Sequence, residues 1–174
     1  MGQSFRALIR RQGKRKVYDP HSKLMEHASL GWADVVGAVV SDIHHLPSHV
    51  VWSGEWSPSL PFFDEAWGAD VITESYERTD VSENPRYIVN HSKHLYIDMK
   101  AYIAEALKLA EYGEIWEVIH PLPILTAVGN GDNGGDYHGN HQELVGTWAD
   151  DVISSEDEIP EGCSAFGTIF FARI

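Results

Sequence analysis

The fold class follows most directly from residues 87–113, which read YIVNHSKHLYIDMKAYIAEALKLAEYG. Two short runs, 87–89 and 95–97, are rich in β-branched and aromatic residues and flank a polar Asn-His-Ser-Lys-His turn, which predicts a β-hairpin. Asp98 then stands where a helix N-cap is expected, and Gly113 stands where that helix should end. A hairpin followed directly by a helix predicts an α+β fold.

The helix predicted over 99–112 carries apolar side chains at helical spacing. The positions expected on its inner face are Met99, Ile103, Leu107 and Ala110. We expect Ile103 and Leu107 to be buried against the hairpin. Truncation of Leu107 to alanine is then expected to cost about 2–5 kcal/mol of stability.

The N-terminal part of the chain predicts a second hairpin and a second helix. Residues 4–11 and 14–18 bracket the dipeptide Gln12-Gly13, which indicates a tight turn between two strands. A helix is predicted over 32–44 and should end before Pro47. Its apolar face is formed by Val36, Val40 and Ile43.

The remaining segments predict strands joined by irregular connections. The predicted strands cover residues 49–56, 119–127, 145–153 and 165–173. Residues 57–85 are rich in Pro, Ser, Asp and Glu and predict a long connection of the kind that often carries function. We expect one α+β domain over 1–174, with an antiparallel or mixed sheet and about two packed helices.

The charge of the chain is unevenly distributed. The net charge is −13, yet 6 of the 13 basic residues lie within residues 1–16, which contain no acid. The acidic remainder should repel nucleic acid and membrane surfaces, so direct binding to either is not expected. The basic arm either contacts an anion or forms a solvated hairpin on an acidic protein. The acidity itself fits a functional role, solubility or adaptation to high salt.

Compartment and redox state follow from what the sequence lacks. No apolar run reaches the ~18 residues that span a bilayer, and the arginine-rich start has no apolar signal core. We therefore expect a cytoplasmic protein without a membrane segment. Cys163 is the single cysteine, which excludes an internal disulfide and a cysteine-rich zinc site.

The most unusual segment is the glycine-dense stretch that ends at Gly139. Glycines allow a backbone to approach a ligand closely, and successive backbone N–H groups can form an anion-binding nest. The structural alternative is a tight turn capped by Asn and Asp side chains. We expect residues 120–137, the strand end at 52–55 and the turn at 90–91 to form a ligand site. The residues expected to bind the ligand are Trp52, Glu55, Asn90, His91, Gly129, Asn130, Gly131, Gly134, Gly135, Tyr137 and Trp148.

The 10 histidines offer a second kind of chemistry. His91 and His94, like His138 and His141, are three positions apart, but both pairs fall in expected loops where this spacing is uninformative. Asp132 and Asp136 could join His120 and His138 in a His/Asp cluster suited to Zn, Mn or Fe. The expected catalytic set is His120, Asp136 and His138. Metal content and cofactors stay open.

Several motifs carry a resemblance to a known family. They are MGQ at 1–3, LMEHASLG at 24–31, VVWSGEW at 50–56, NHSK at 90–93, HPLPILTAVGNGDNGGDYHG at 120–139 and VGTWADD at 145–151. In this order they resemble a family of proteins from phages, prophages and their bacterial hosts. The resemblance implies a phage-associated role and no particular activity. Asp132, His138 and Asp150 stand where that family carries arginines, which weakens an anion-binding role at those positions.

Three functions stay open at this point. The first is a phage-associated accessory protein that binds a small nucleotide-like molecule, such as a host defence signal, through the glycine loop. The second is a hydrolase or transferase that uses the His/Asp set, with or without a metal. The third is an acidic protein that inhibits a host enzyme. A host protein partner and a homo-oligomer are further open alternatives.

Overall fold

A computed structural model describes residues 3–28, 34–56, 62–77, 85–113, 117–129, 137–167 and 170–173. Within these ranges the chain forms a mixed, mostly antiparallel sheet with helices, which confirms the expected α+β class. No helix in the described ranges is long and apolar enough to cross a membrane. Part of the glycine loop, residues 130–136, lies outside them.

The first hairpin forms as predicted. Strand β1 covers Phe5–Arg11 and strand β2 covers Lys14–Tyr18, paired antiparallel. Gln12 and Gly13 form the connecting turn with φ of 53° and 74°. Positive φ at both central residues of a two-residue hairpin turn matches the right-handed twist of the strands, and glycine adopts it without steric cost.

Strand β3, Ser48–Gly54, lies in the interior of the main sheet. The other strands of this sheet are β4 (Tyr87–Asn90), β5 (Leu95–Asp98), β7 (Ala127–Val128), β8 (Val152–Glu156) and β9 (Ser164–Ala165). The order is β2-β1-β3-β8-β4-β5-β9, and β7 pairs in parallel with β3. A separate antiparallel pair joins β6 (Glu117–Ile119) to β10 (Phe171–Arg173). The predicted hairpin at 87–97 is therefore confirmed as β4 and β5.

Five helices lie in the described ranges. They are α1 (Leu24–Ala28), α2 (Asp34–Asp42), α3 (Phe63–Trp67), α4 (Met99–Glu111) and α5 (Pro121–Leu125). The main core lies on one face of the sheet and includes the predicted inner face of α2, where Val36, Val40 and Ile43 are buried. The opposite face carries a smaller core in which Ala66 of α3 packs with Leu8 and other apolar side chains.

Helix α4 begins where the sequence predicts but presents a different face. The Asp98 side chain accepts hydrogen bonds from the N–H groups of Lys100 and Ala101, which confirms the N-cap. The buried positions are Met99, Tyr102 and Ala106. Leu107 is 55% exposed, so its predicted burial is wrong, and Ala110 is exposed while Ile103 is only partly buried.

Helix α4 buries a face other than the predicted one because the Tyr102 hydroxyl makes two hydrogen bonds in the interior. The Tyr102 hydroxyl donates to the carbonyl of Ile119 at 2.5 Å and accepts from the N–H of Phe171 at 2.7 Å. These two bonds attach α4 to the β6–β10 pair and set which stripe of the helix faces inward. Leu107, on the other side, is left at the surface.

The second half of the chain departs from the predicted strands. Pro121 and Pro123 do not interrupt a strand but lie in the short helix α5, where a proline at the first turn loses no backbone hydrogen bond. The strand predicted over 145–153 is instead β8 at 152–156, preceded by a short 3-10 turn at Gln142–Leu144 and further turns. The connection predicted over 57–85 contains the helix α3.

Candidate functional site

Strand pairing places the predicted site residues at two different ends of β3. Ala127 of β7 pairs with Trp52, which brings the start of the glycine loop beside the C-terminal end of β3. Asn90 instead pairs with Ile153, and Ile153 pairs with Ser48 at the start of β3. The turn at Asn90 and the strand end at Trp52 therefore do not meet in one pocket within the described ranges.

The aromatic side chains expected to bind the ligand are buried in the main core. Trp52, Tyr137 and Trp148 are 0%, 1% and 1% exposed. Trp148 packs edge-on against Phe166, with ring centroids 5.1 Å apart. The Tyr137 hydroxyl donates to the Asn140 side chain at 3.0 Å, and burial raises the pKa of Tyr137. Because all three side chains are buried, their role in the described structure is to form the core.

The two polar residues expected beside them have structural partners. The Glu55 carboxylate accepts from the backbone N–H of Ser4 at 2.9 Å. Asn90 is fully buried and donates to Asp151 at 2.8 Å, while its carbonyl oxygen accepts from the N–H of Lys93 at 2.9 Å. Asn90 therefore closes the turn between β4 and β5.

The histidines of the predicted catalytic set occupy different environments. His120 is the N-cap of α5, and its Nδ1 accepts from the N–H of Leu122 at 3.1 Å. Burial lowers the pKa of His120 to about 3, so this ring stays neutral. His138 is exposed, and its N–H contacts the Met25 sulfur at 3.3 Å. The remaining predicted site residues Asn130, Gly131, Gly134, Gly135 and Asp136 lie outside the described residues, directly after Gly129.

His91 forms a partly buried polar chain with β8. Its Nε2 lies 2.7 Å from the Ser154 oxygen, and the Ser154 hydroxyl donates to Glu156 at 2.8 Å. The serine has one proton, so it accepts from an Nε2–H of His91. Burial lowers the pKa of His91. Ser154 is fully buried, so this Ser–His pair does not present a nucleophile to a substrate.

The tip of the first hairpin forms one wall of an open cleft of about 540 Å³. The register pairs Arg10 with Arg15 and Arg11 with Lys14, so the tight turn collects four cations at one end of the hairpin. The cleft is lined by Arg10, Arg11, Gln12, Gly13, Lys14, Arg15, His49 and Glu65. We call this feature the basic cleft. Four of its side chains are permanently cationic at neutral pH, and one is a carboxylate.

Arg11 is held beside the basic cleft by a buried carboxylate. Asp42 is 5% exposed at its side chain and accepts from Arg11 at 3.1 Å, from Lys16 at 3.1 Å and from the Tyr18 hydroxyl at 2.6 Å. Burial alone would raise the pKa of Asp42, but these hydrogen bonds outweigh burial and hold it below its ordinary value. Arg11 also donates to the Ser48 hydroxyl at 2.8 Å. Its guanidinium is therefore fixed before any ligand arrives.

Arg10 is fixed on the other side of the cleft. Its guanidinium pairs with Asp150, lies 3.6 Å from the Glu65 carboxylate and sits 5.4 Å from the centre of the Phe62 ring. The Arg10 Nε is buried and has no hydrogen-bond acceptor in the described part of the chain. The protein therefore orders this side chain without using all of its donors.

Lys14 and Arg15, at the turn itself, make fewer contacts with carboxylates than Arg10 and Arg11 do. Arg15 lies 3.4 Å from the carboxylate of Asp70, whose side chain is 84% exposed. Lys14 is exposed and has no carboxylate partner among the residues that the structure describes. The basic cleft thus combines two arginines held by carboxylates with an exposed arginine and an exposed lysine. The clustering of basic residues was visible in the sequence, but only the fold supplies the wall formed by His49 and Glu65.

A second polar group lies against the end of β8. The ring nitrogens of His44 and His45 and a carboxylate oxygen of Asp157 all lie within 4.8 Å of one another. We call this group the histidine cluster. The sequence alone did not single out these residues, because His45 and its partner Glu156 are 111 positions apart in the chain. They are the described residues best placed to hold a metal ion.

Comparison of this chain with protein-family models, with curated proteins and with solved structures finds no match. The function is therefore argued from the geometry of the chain itself. The phage-related resemblance stays a prediction.

Proposed function

We propose that this chain binds a small phosphate-bearing ligand of nucleotide size in the basic cleft. The observation that carries this proposal is the collection of four cationic side chains around a cleft of about 540 Å³, in a chain whose net charge is −13. Ligand sites typically measure about 300–1,000 Å³. The three arginines of the cleft pair with carboxylates, whereas Lys14 has no carboxylate partner among the described residues and carries the unpaired positive charge that attracts an anion.

The two ordered arginines supply the geometry of recognition. Arg10 and Arg11 are held by ion pairs in the free protein, so little side-chain entropy is lost when they contact a ligand. A guanidinium presents parallel donors that match phosphate oxygens. Lys14 and Arg15 are exposed at the turn, so they can move onto the bound phosphate and neutralise its remaining charge.

The proposed ligand class includes cyclic and linear nucleotides, and with them the nucleotide signals of host defence that the phage-related resemblance suggests. The Phe62 ring, which lies under Arg10, is an aromatic group beside the cations of the cleft. Stacking of a base requires such an aromatic or guanidinium plane. The glycine-rich loop is not part of this proposal, because residues 130–136 are outside the described ranges.

The proposal is tested by calorimetric titration of the full chain with pyrophosphate, ATP and a cyclic dinucleotide, in buffer containing EDTA. Lys14→Ala and Arg15→Ala should each weaken binding by about tenfold, equivalent to 1.4 kcal/mol. Lys23→Ala and Lys108→Ala are matched controls, because both lysines are exposed and neither lines the cleft. Release of phosphate from ATP during the titration would favour the hydrolase alternative instead.

Ionic strength provides an independent readout of the same contact. Exposed cations are screened by salt, so affinity should fall several-fold as the salt concentration rises from about 50 to about 200 mM. Binding that is unaffected by salt and equal in all four variants would place the ligand elsewhere. Absence of binding to all three probes would exclude the proposed ligand class.

A further inference from the structure

His44 and His45 follow α2 and are pinned to the end of β8. The N–H of His45 donates to the carbonyl of Ser155 at 3.0 Å, and the N–H of Ser155 donates to the carbonyl of Ile43 at 3.2 Å. His45 adopts a φ of 58°, in the left-handed region that non-glycine residues rarely occupy. The two imidazole rings lie 3.8 Å apart between centroids. Backbone contacts therefore fix both residues against β8, and their rings lie side by side.

A buried serine determines which nitrogen of His44 carries the proton. The Ser155 hydroxyl donates its single proton to the carbonyl of Val40 at 2.7 Å. Toward the Nδ1 of His44, 3.1 Å away, the same oxygen can only accept. The neutral His44 ring therefore carries its hydrogen on Nδ1, and the lone pair on Nε2 is available.

A carboxylate does the same for His45. The Nδ1 of His45 lies 2.5 Å from one oxygen of Glu156. A carboxylate accepts hydrogen bonds, so this nitrogen is the donor. The other oxygen of Glu156 accepts from the Ser154 hydroxyl at 2.8 Å, which fixes the carboxylate in turn. The Nε2 of His45 is the nitrogen left for another partner.

Both Nε2 atoms face the same oxygen. The Oδ2 of Asp157 lies 3.5 Å from His44 Nε2 and 3.3 Å from His45 Nε2. A charge-assisted N–H···O bond measures about 2.7–2.9 Å, so these separations are too long for tight hydrogen bonds. A tetrahedral ion with bonds of about 2.0–2.1 Å keeps its ligands about 3.3 Å apart. These two separations are those of ligands around a shared ion, and all three ligand atoms lie within 4.8 Å of one another.

We propose that His44, His45 and Asp157 bind a divalent transition-metal ion of the Zn²⁺ type. Two imidazole nitrogens and one carboxylate oxygen are donors that suit this class of ion. Ser155 and Glu156 are the outer partners that orient the imidazoles, an arrangement common around protein-bound metals. His45 is 57% and Asp157 61% exposed at the side chain, so water or a small ligand can take the remaining coordination position.

The site is independent of the basic cleft, since no residue is shared between them. Two outer contacts make it more than a chance surface pair. A histidine on the surface without such contacts can rotate and present either nitrogen. Here both rings are oriented by acceptors on β8, and both lone pairs converge on one carboxylate.

The test is calorimetric titration of the full-length, chelator-treated protein with Zn²⁺ alone. We expect one Zn²⁺ per chain. Asp157→Asn and His45→Ala each remove a ligand and should weaken binding more than about 100-fold, while Glu156→Gln removes an outer charge and should weaken it about 10-fold. Glu158→Gln and His94→Ala are matched controls on exposed residues outside the cluster and should leave the affinity within twofold of the parent.

Because His45 and Asp157 are exposed, their variants should fold, and melting temperatures without metal verify this for every variant. A loss of Zn²⁺ affinity confined to the cluster variants supports the site. The inference is overturned if the folded parent does not bind Zn²⁺ at micromolar concentrations, or if the cluster variants bind it as well as the controls do.

Discussion

The basic cleft and the histidine cluster both hold polar side chains ready at the surface, but by different means. In the cleft, carboxylates such as Asp42 fix arginines that stay charged throughout the physiological pH range. In the cluster, a hydroxyl and a carboxylate fix which nitrogen of each imidazole carries the proton. The first arrangement positions positive charge and suits an anion. The second positions lone pairs and suits a metal cation.

The two sites also share a structural origin. Helix α2 ends at Asp42, which anchors the hairpin, and the residues just beyond it are His44 and His45. One short connection into β3 therefore supports the cleft on one side and the cluster on the other. Variants on either side of this connection can show whether the two sites are separable.

The largest expected effect is that of Asp42→Asn. Asp42 is the buried acceptor for Arg11, Lys16 and Tyr18, and loss of its charge should lower the free energy of unfolding by about 3–5 kcal/mol. Urea unfolding measures this, with Asp70→Asn as the exposed control expected to change stability by less than about 0.5 kcal/mol. Equal effects of the two variants would mean that the hairpin is not anchored by Asp42.

The second prediction concerns the effect of pH on stability through His120, a buried histidine outside both sites. His120 is neutral in the folded chain, with its pKa lowered by burial from 6.5 to about 3. Between these values the unfolded state binds a proton that the folded state does not, so stability should fall as the pH falls through this window. The full difference amounts to roughly 5 kcal/mol.

His120→Asn separates this contribution from other acid effects. Asparagine keeps an oxygen that can cap α5 but has no proton to gain, so the loss of stability between pH 6.5 and pH 3 should become shallower. Urea midpoints measured across this pH range provide the readout. An unchanged slope would show that His120 is not the group responsible.

A third, smaller effect is the response of melting temperature to Zn²⁺. At a free concentration one hundred times the Kd, binding to the folded state alone stabilises it by about 2.7 kcal/mol. For a chain of this size that corresponds to a rise of about 5–10 °C, which EDTA should remove. The rise should persist in Lys14→Ala and vanish in Asp157→Asn. A rise that vanishes in both variants would mean that the two sites are not independent.

The smallest effects come from α4, whose residues line neither site and which supplies a control for both. Tyr102→Phe should cost about 1–3 kcal/mol because it removes the hydroxyl that bonds to Ile119 and Phe171. Leu107→Ala should cost less than about 0.5 kcal/mol, since Leu107 is 55% exposed. Neither change should alter Zn²⁺ or phosphate affinity after correction for the fraction folded. A larger loss of stability in Leu107→Ala would indicate that Leu107 is buried, as the sequence predicts.

The features of the fold that the sequence predicted correctly are those that depend on neighbouring residues in the chain. The turn at Gln12-Gly13 and the N-cap at Asp98 depend on neighbouring residues alone, and both were predicted correctly. The buried face of α4 depends on where Tyr102 finds its partners on β6 and β10, which are distant in the chain. Helix α5 was missed because Pro121 is equally compatible with an interrupted strand and with the first turn of a helix.

The sequence predicted the candidate sites less well than it predicted the fold. The sequence shows the basic residues of the first hairpin, but it does not show that His49 and Glu65 face the hairpin tip and complete a cleft. Spacing along the chain groups histidines such as His91 and His94, whereas in the structure His45 meets residues 111 positions or more away. Strand pairing creates such a site, and periodicity within one segment does not reveal it. The predicted roles of the glycine loop at 130–136 stay predictions.

The central claim, that the basic cleft binds a phosphate-bearing ligand, is tested most directly by NMR titration of the folded chain with pyrophosphate in EDTA. The account predicts saturable shifts of the side-chain N–H signals of Arg10, Arg11 and Arg15 and of the Gly13 amide, with the signal of Arg86 unchanged. Arg86 is suitable as the internal reference because it pairs with Asp98, away from the cleft. Shifts that are largest in the amides of residues 130–136, with the hairpin signals unmoved, would contradict the claim and assign the ligand to the glycine loop.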